Sequence, residues 1–192
     1  MPGRKAPEAQ RREEILHAAR AVAARDGLEG LTVRKVAVEA GLSPGLVFFH
    51  FATKDVLLVA LLERLQDWLL QVAEVPDHPT PAGRLVALLS GETAAAGRDA
   101  GELTLLLQYW VLAARRPDLR PALLGALQRY REVLAPASGE VAASAGLPAG
   151  QVSALATSLV LGAALQGLVD PGFDPGTPLH ALAALLQGAD RP

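Results

Sequence analysis

Cysteine is absent from this chain of 192 residues, methionine occurs once, histidine four times, and only eight side chains are aromatic. Without cysteine there can be no disulfide framework, thiol nucleophile or thiolate metal site, so a cytoplasmic location is expected. His17, His50, His78 and His180 lie far apart in sequence, and no metal centre is expected of them. Motifs of common catalytic sites are missing too: there is no Gly-rich loop ending in Lys-Ser/Thr, no His-Glu-x-x-His and no Gly-x-Ser-x-Gly. Ser43 sits between Gly41 and Gly45 but is better used as a helix cap. Asp170 and Asp174 lack the further alternating oxygen ligands of a calcium loop. The expectation is therefore a non-enzyme with no catalytic residues, cofactor or metal.

Charge is scarce as well. The formal net charge is −2, too close to zero for composition alone to indicate a nucleic-acid or membrane partner. The charged N-terminus is not followed by an apolar segment, so no secretory signal is expected. The 29 residues between Glu140 and Asp170 carry no charge, and Val152–Val169 is nearly long enough to span a bilayer. That stretch contains Ser153, Thr157, Ser158, Gly162, Gln166 and Gly167 and has no flanking basic cluster. A buried bundle helix or subunit interface is expected instead, with no membrane partner.

What the sequence does have is helical spacing almost throughout. Ile15, Leu16, Ala19, Val22 and Ala23 recur at three- and four-residue steps, with Arg11, Arg12, Glu13, Glu14, Arg20 and Arg25 on the other face. Asp26-Gly27 ends this helix, Gly27 being suited to the left-handed position after a C-cap. Thr32 caps a second helix over 33–40, and Ser43 caps a third over 44–49 with Pro44 at its first position. A long helix over 54–74 shows one polar stripe of Glu63, Arg64, Asp67, Gln71 and Glu74. Further helices are expected at about 82–96, 101–115, 118–145, 150–169 and 177–188, with Pro136 kinking or splitting the 118–145 block. No strand pattern or internal repeat is evident. The fold class is all-α, with eight to ten helices.

Residues 32–55 carry the functional signal. Two short helices joined by a tight turn at Gly41 form a helix-turn-helix pattern. Ala37 is small because the second helix of the pair crosses it, Gly41 supplies a conformation that a Cβ resists, and Val36, Leu42 and Val47 face inward. The second helix opens with Ser43-Pro44-Gly45, short side chains that let its N-terminus approach a phosphate or base edge. Phe49 and Phe51 are expected to pin it against the first and fourth helices, leaving only Phe48 partly exposed.

This segment resembles the DNA-binding domain of TetR-family transcriptional regulators. The resemblance covers about Arg12 to Leu58: Ile15-Leu16-x-Ala18-Ala19, Gly27, Leu31-Thr32-Val33, Val36-Ala37, Ala40-Gly41-Leu42-Ser43-x-Gly45 and His50-Phe51-x-x-Lys54-Asp55-x-Leu57-Leu58. In the remaining two thirds, 114–120 and 165–168 are similar to the subgroup that includes the choline-responsive repressor BetI. The resemblance implies that Thr32 and Lys54 contact phosphates from two helix N-termini. It places Arg34, Ser43, Pro44, Gly45 and Leu46 at the major groove or its edge, with Phe48 and His50 packing or bonding at the DNA backbone. Lysine at a helix N-terminus opposes the helix dipole, and an anionic partner would resolve that conflict. The family usually has Tyr at position 48 and polar residues at 44 and 46. Phe48, Pro44 and Leu46 shift base reading toward apolar contacts, Arg34 and DNA shape.

The implied architecture is an N-terminal three-helix helix-turn-helix domain over 1–55, joined through a long helix to a larger effector-binding and dimerisation domain over 56–192. The implied function is a ligand-responsive regulator, a repressor, acting as a homodimer on double-stranded DNA with a palindromic operator. The alternative is a helical ligand-binding protein whose head has lost sequence-specific function. Small residues Ala154, Ala156, Gly162 and Ala163 would let the 150–169 helix pack closely on its twin, alongside the 177–188 helix. Candidate effector contacts are Trp68, Gln71, Gln108, Trp110 and Gln166, polar or aromatic residues on apolar helices. With few charges there, a small and mostly apolar or neutral effector is expected; a quaternary ammonium would need an aromatic cage that few residues could build. Residues 1–55 hold nine Lys and Arg against seven Asp and Glu, and the remainder nine against thirteen. The near-neutral total therefore sums a mildly basic head and an acidic body.

Overall fold

The structure, a computed structural model, describes residues 7–70, 77–98 and 100–189, with side chains for all of these except 68–70, 95–98 and 187–189. Its elements run α1 (Glu8–Gly30), α2 (Val33–Glu39), α3 (Pro44–His50), α4 (Lys54–Leu70), α5 (Pro81–Arg98) and α6 (Ala100–Arg115). A 3-10 turn (Pro117–Leu119), α7 (Arg120–Ala145), α8 (Ala149–Val169) and α9 (Gly176–Ala189) follow. No strand occurs among the described residues. The all-α expectation holds, with boundaries within a few residues of those read from spacing where these fall on described residues; the expected end of the 54–74 helix lies outside them.

The chain divides into two compact units: Met1–Gln66 with Leu105–Leu123, and Asp67–Thr104 with Leu124–Pro192. The unit carrying the helix-turn-helix thus takes in more than residues 1–55, adding most of α4, the second half of α6 and the start of α7. Its core is built from Ile15, Ala19, Val22 and Ala23 of α1, Val36 and Ala37 of α2, Val47 of α3, Phe51, and Leu57, Leu58 and Leu61 of α4, all essentially inaccessible. Burying a leucine or phenylalanine in such a core contributes about 1.5–3 kcal/mol. Polar ties from the later helices fix this unit. Tyr109 Oη donates to the Leu58 carbonyl at 2.8 Å, Leu28 N donates to Gln108 Oε1 at 2.9 Å, and Arg116 pairs with Asp55 at 2.9 Å.

In the second unit, Leu85, Leu88 and Leu89 of α5 meet Leu134, Ala137, Val141 and Ala142 of α7, Val152, Ala156 and Val160 of α8, and Leu179 of α9. Arg84 Nε donates to Glu140 at 2.9 Å, bracing α5 against α7. Two expectations are corrected here. Of the kink or split expected at Pro136, the split does not occur: Pro136 lies inside α7, which runs as one helix from Arg120 to Ala145. Ala156 and Ala163 are buried within the chain, so of the four small residues only Ala154 and Gly162 stay partly accessible for a twin helix. By length and composition α8 could cross a membrane, yet Val152, Ala156 and Val160 on it belong to this core.

Candidate nucleic-acid interface

The geometry of the helix-turn-helix follows from its caps and its one glycine turn. Thr32 is extended, and its hydroxyl oxygen accepts from Lys35 N at 3.2 Å, starting α2. At the other end Leu42 N donates to the Ala37 carbonyl at 2.9 Å and Gly41 N to the Val38 carbonyl at 3.1 Å. This pair of bonds is the Schellman arrangement, and it needs a residue with positive φ at its centre. Gly41 provides it, at φ +64°. Ser43 Oγ then accepts from Leu46 N at 3.2 Å, with Pro44 at the first helical position, and α3 begins. Upstream, Gly27 also has positive φ, but at φ 75° and ψ 164°. That lies outside the left-handed helical well, in a region almost reserved for glycine.

Packing splits α3 into two faces. Val47 and, at the C-cap, Phe51 are fully buried. Ser43, Pro44, Gly45, Phe48 and Phe49 are exposed, while Leu46 and His50 are half-buried. Phe49 is the correction that matters most: expected in the core, it is 76% exposed. Its ring meets His50 edge-on at 5.2 Å between centroids. Phe51 does pack inward as expected, under the Arg12 guanidinium at 4.4 Å from the ring centroid. Arg12 Nη1 also donates to the His50 carbonyl at 3.3 Å, tying α1 to the end of α3.

Arg34 and Thr32 are both exposed at the start of α2. Arg34 has no hydrogen bond or ion pair among the described residues, in contrast with its neighbour Lys35, which pairs with Asp26 at 2.7 Å and donates to the Gly30 carbonyl at 3.0 Å. The Thr32 hydroxyl uses its oxygen as a cap, which leaves its proton for an outside acceptor. Lys54 is half-buried at the first position of α4, and Nζ donates to the Glu29 carbonyl at 2.8 Å. Burial, then the nearby Arg116, lowers the Lys54 pKa. A cation pushed toward losing its proton is one that gains when an anion approaches.

Taken together, the candidate residues of α2 and α3 belong to one compact unit, with the exposed positions gathered at the start of α2 and along the outer face of α3. Sequence reasoning missed two exposed apolar residues beside them, Phe49 and Val38, the latter 82% exposed on α2. Helical spacing carried the signal for Phe49. It lies two residues from both Val47 and Phe51, on the opposite side of the helix from each.

The effector candidates are scattered. The side chain of Trp68 and all of Gln71 lie outside the described residues. Gln108 is occupied by the Leu28 amide, and Trp110 is half-buried in the same first unit. Gln166 is exposed on α8, in the second unit, with its amide bonded to the Gly162 carbonyl of its own helix. Among the described residues no cluster of three or more metal-ligating side chains occurs. Asp170 Oδ1 accepts from Gly172 N, and Asp174 Oδ1 from Gly176 N, as turn residues do.

Residues 15–61 match the family described as bacterial regulatory proteins, tetR family, and residues 81–191 match the BetI-type transcriptional repressor, C-terminal. The chain belongs to the TetR family. This TetR-family chain is 33% identical over 156 residues to an uncharacterized HTH-type transcriptional regulator in the dhlA 5' region of Xanthobacter autotrophicus, covering 78% of this chain and 73% of that one. It is 28% identical over 164 residues to the HTH-type transcriptional regulator BetI of Serratia proteamaculans, covering 82% of each. Among solved structures, a transcriptional regulator from Rhodococcus sp. Rha1 superposes with a TM-score of 0.69 at 32% identity, over 94% of this chain and 98% of that one. The TetR-family chain is thus a transcriptional regulator with a helix-turn-helix DNA-binding domain.

Proposed function

We propose that the chain is a ligand-responsive repressor that binds a palindromic operator as a homodimer and is released by a small-molecule effector. Residues 1–55 would read DNA and residues 56–192 would bind the effector and the twin subunit. One observation carries the DNA part: the outer face of α3 presents Ser43, Pro44 and Gly45 exposed at its N-terminal end, with nothing within 4 Å of the place a Gly45 Cβ would occupy. Gly45 is therefore not required by packing inside the chain, and its smallness serves an approach from outside. In this reading Arg34 and Leu46 meet base edges, Phe48 packs against the DNA backbone, and Thr32, His50 and Lys54 meet phosphates.

The repressor and dimer parts draw support from the BetI-type match over 81–191 and from the apolar residues left exposed on α8 and α9: Leu155, Leu165, Val169 and Leu185. Pairing these helices across a two-fold axis would present two α3 helices to half-sites about one helical turn apart, roughly 34–36 Å. The helix α4 starts next to the helix-turn-helix and continues into the second unit. An effector that binds one arrangement of the second unit more tightly would shift α4, and with it the two heads, only by that difference in affinity.

The test is enrichment of sheared genomic DNA by the purified full chain at about 100 mM salt, a condition under which nonspecific phosphate binding is weakened. Recovery of one or a few palindromic sites is the expected result. A folded dimer that enriches no site overturns the reading.

A further inference from the structure

The second unit buries a carboxylate that its own packing does not use. Glu92 of α5 is 5% exposed, one helical turn after the core residues Leu88 and Leu89. One oxygen, Oε2, accepts from Tyr130 Oη of α7 at 3.0 Å. The other, Oε1, is buried and has no hydrogen-bond partner among the described residues. The adjacent buried hydroxyl of Thr93 is committed elsewhere, to the carbonyls of Leu89 and Ser90. No lysine or arginine pairs with Glu92 among the described residues.

A strut between α5 and α7 does not need this arrangement. Glutamine could accept the Tyr130 hydroxyl equally well and would carry no charge to desolvate. An unsatisfied buried acceptor loses its hydration without recovering a hydrogen bond, and burial already drives the carboxyl pKa upward. The pair lies beside an apolar cluster: Tyr130 packs against the core that α5, α7, α8 and α9 share in this unit. What is missing is a hydrogen-bond donor at Oε1, and a positively charged donor would neutralise the carboxylate as well.

We propose that Glu92, oriented by Tyr130, anchors the head of a small ligand consisting of a protonated amine on an apolar body. The proposal rests on the effector-binding reading above and gives that effector a chemical class. The apolar body agrees with the composition of the second unit. The cationic head revises the expectation of a mostly neutral effector. A neutral alcohol would fill Oε1 but leave the charge uncompensated, so charge is the discriminating variable.

Three probes of one shape separate the possibilities: 4-phenylbutylamine, 4-phenylbutan-1-ol and 4-phenylbutanoate, titrated calorimetrically into the full chain. The amine is expected to bind about tenfold or more tighter than the alcohol, a difference of about 1.4 kcal/mol, and the carboxylate not at all. Glu92→Gln should abolish the amine's advantage while leaving the alcohol within about twofold. Tyr130→Phe keeps the ring and frees the carboxylate to rotate, and should weaken the amine by about three- to tenfold. It provides the second reading if Glu92→Gln proves poorly folded by circular dichroism. Equal binding of amine and alcohol, an advantage that survives Glu92→Gln, or no amine binding at millimolar concentration each overturns the site. Glu92-dependent amine binding that leaves operator affinity unchanged upholds the site and instead overturns the ligand-responsive reading.

Discussion

Lys54 Nζ donates a 2.8 Å hydrogen bond to the main-chain carbonyl of Glu29. This bond answers part of the puzzle of a lysine at a helix N-terminus, because it supplies a negative dipole end without any ligand. It does not use the whole ammonium, which has three donors. The same side chain then serves two ends: it holds the start of α4 to the residues after the Gly27 kink, and it keeps a cation beside the helix-turn-helix.

Lys54→Ala is therefore expected to weaken DNA binding about equally for all sequences and to reduce the slope of log K against log salt by about one. It should also lower stability by about 1 kcal/mol through loss of the hydrogen bond to Glu29. Fluorescence anisotropy at several salt concentrations, with a denaturant melt on the same sample, separates the two. Lost stability with an unchanged salt slope removes Lys54 from the phosphate contacts.

Phe48 offers the converse experiment. Its ring is 49% exposed on the outer face of α3, where the family usually carries a tyrosine hydroxyl. A hydrogen bond to a charged group is worth about 1.5–3 kcal/mol in favourable geometry and less when exposed. Phe48→Tyr should accordingly tighten operator binding about three- to tenfold without changing sequence preference, since phosphates carry no base identity. Tighter binding to one operator variant and not to another would mean that position 48 reads bases instead.

Much of this molecule was legible from local chemistry. Thr32 and Ser43 cap the helices they were expected to cap, and Gly41 takes the positive φ its turn demanded. Those assignments rest on interactions within four residues, which sequence states directly. Phe49 departs from the core position its aromatic type suggests because Val47 and Phe51 define the inner face of the helix and Phe49 lies opposite both. The Glu92–Tyr130 pair could not be read at all. It joins α5 to α7 across 38 positions, and only the assembled fold shows that one carboxylate oxygen lacks a partner. Gln108 misled in the same way, since its partner, Leu28 N, is 80 residues away.

The two glycines of the head differ in a way stability can measure. Gly41 sits at φ +64°, in ordinary left-handed turn geometry, with nothing within 4 Å of a hypothetical Cβ. Gly41→Ala should cost about 1 kcal/mol, the usual conformational penalty there. Gly27 combines φ 75° with ψ 164°, and a Cβ there would lie 3.5 Å from Gln108 Oε1. The contact is tolerable but the backbone is not, so Gly27→Ala should cost more, about 2–3 kcal/mol. Urea melts of both variants test the order, and a larger loss for Gly41→Ala would reverse it.

Glu92 makes a prediction about pH that does not depend on any ligand. Burial raises its carboxyl pKa above the ordinary 4.5, and the Tyr130 hydroxyl opposes that shift without cancelling it. A group whose folded pKa is raised stabilises the fold while protonated, which is below the ordinary value. That contribution is lost as pH rises through the folded value, because the native state must then hold a charge that the unfolded chain solvates freely. Glu92→Gln has no such proton to lose. Its stability relative to wild type should therefore be lowest at about pH 4 and climb with increasing pH, levelling off once the native carboxyl is fully ionised. Denaturant melts of both proteins between about pH 4 and pH 8 give the difference directly, with other titrating groups common to both. A difference that is flat across this range, or that falls with pH, would show that the Glu92 carboxyl is not desolvated in the native state, and the case for a buried anion waiting for a cation would fall with it.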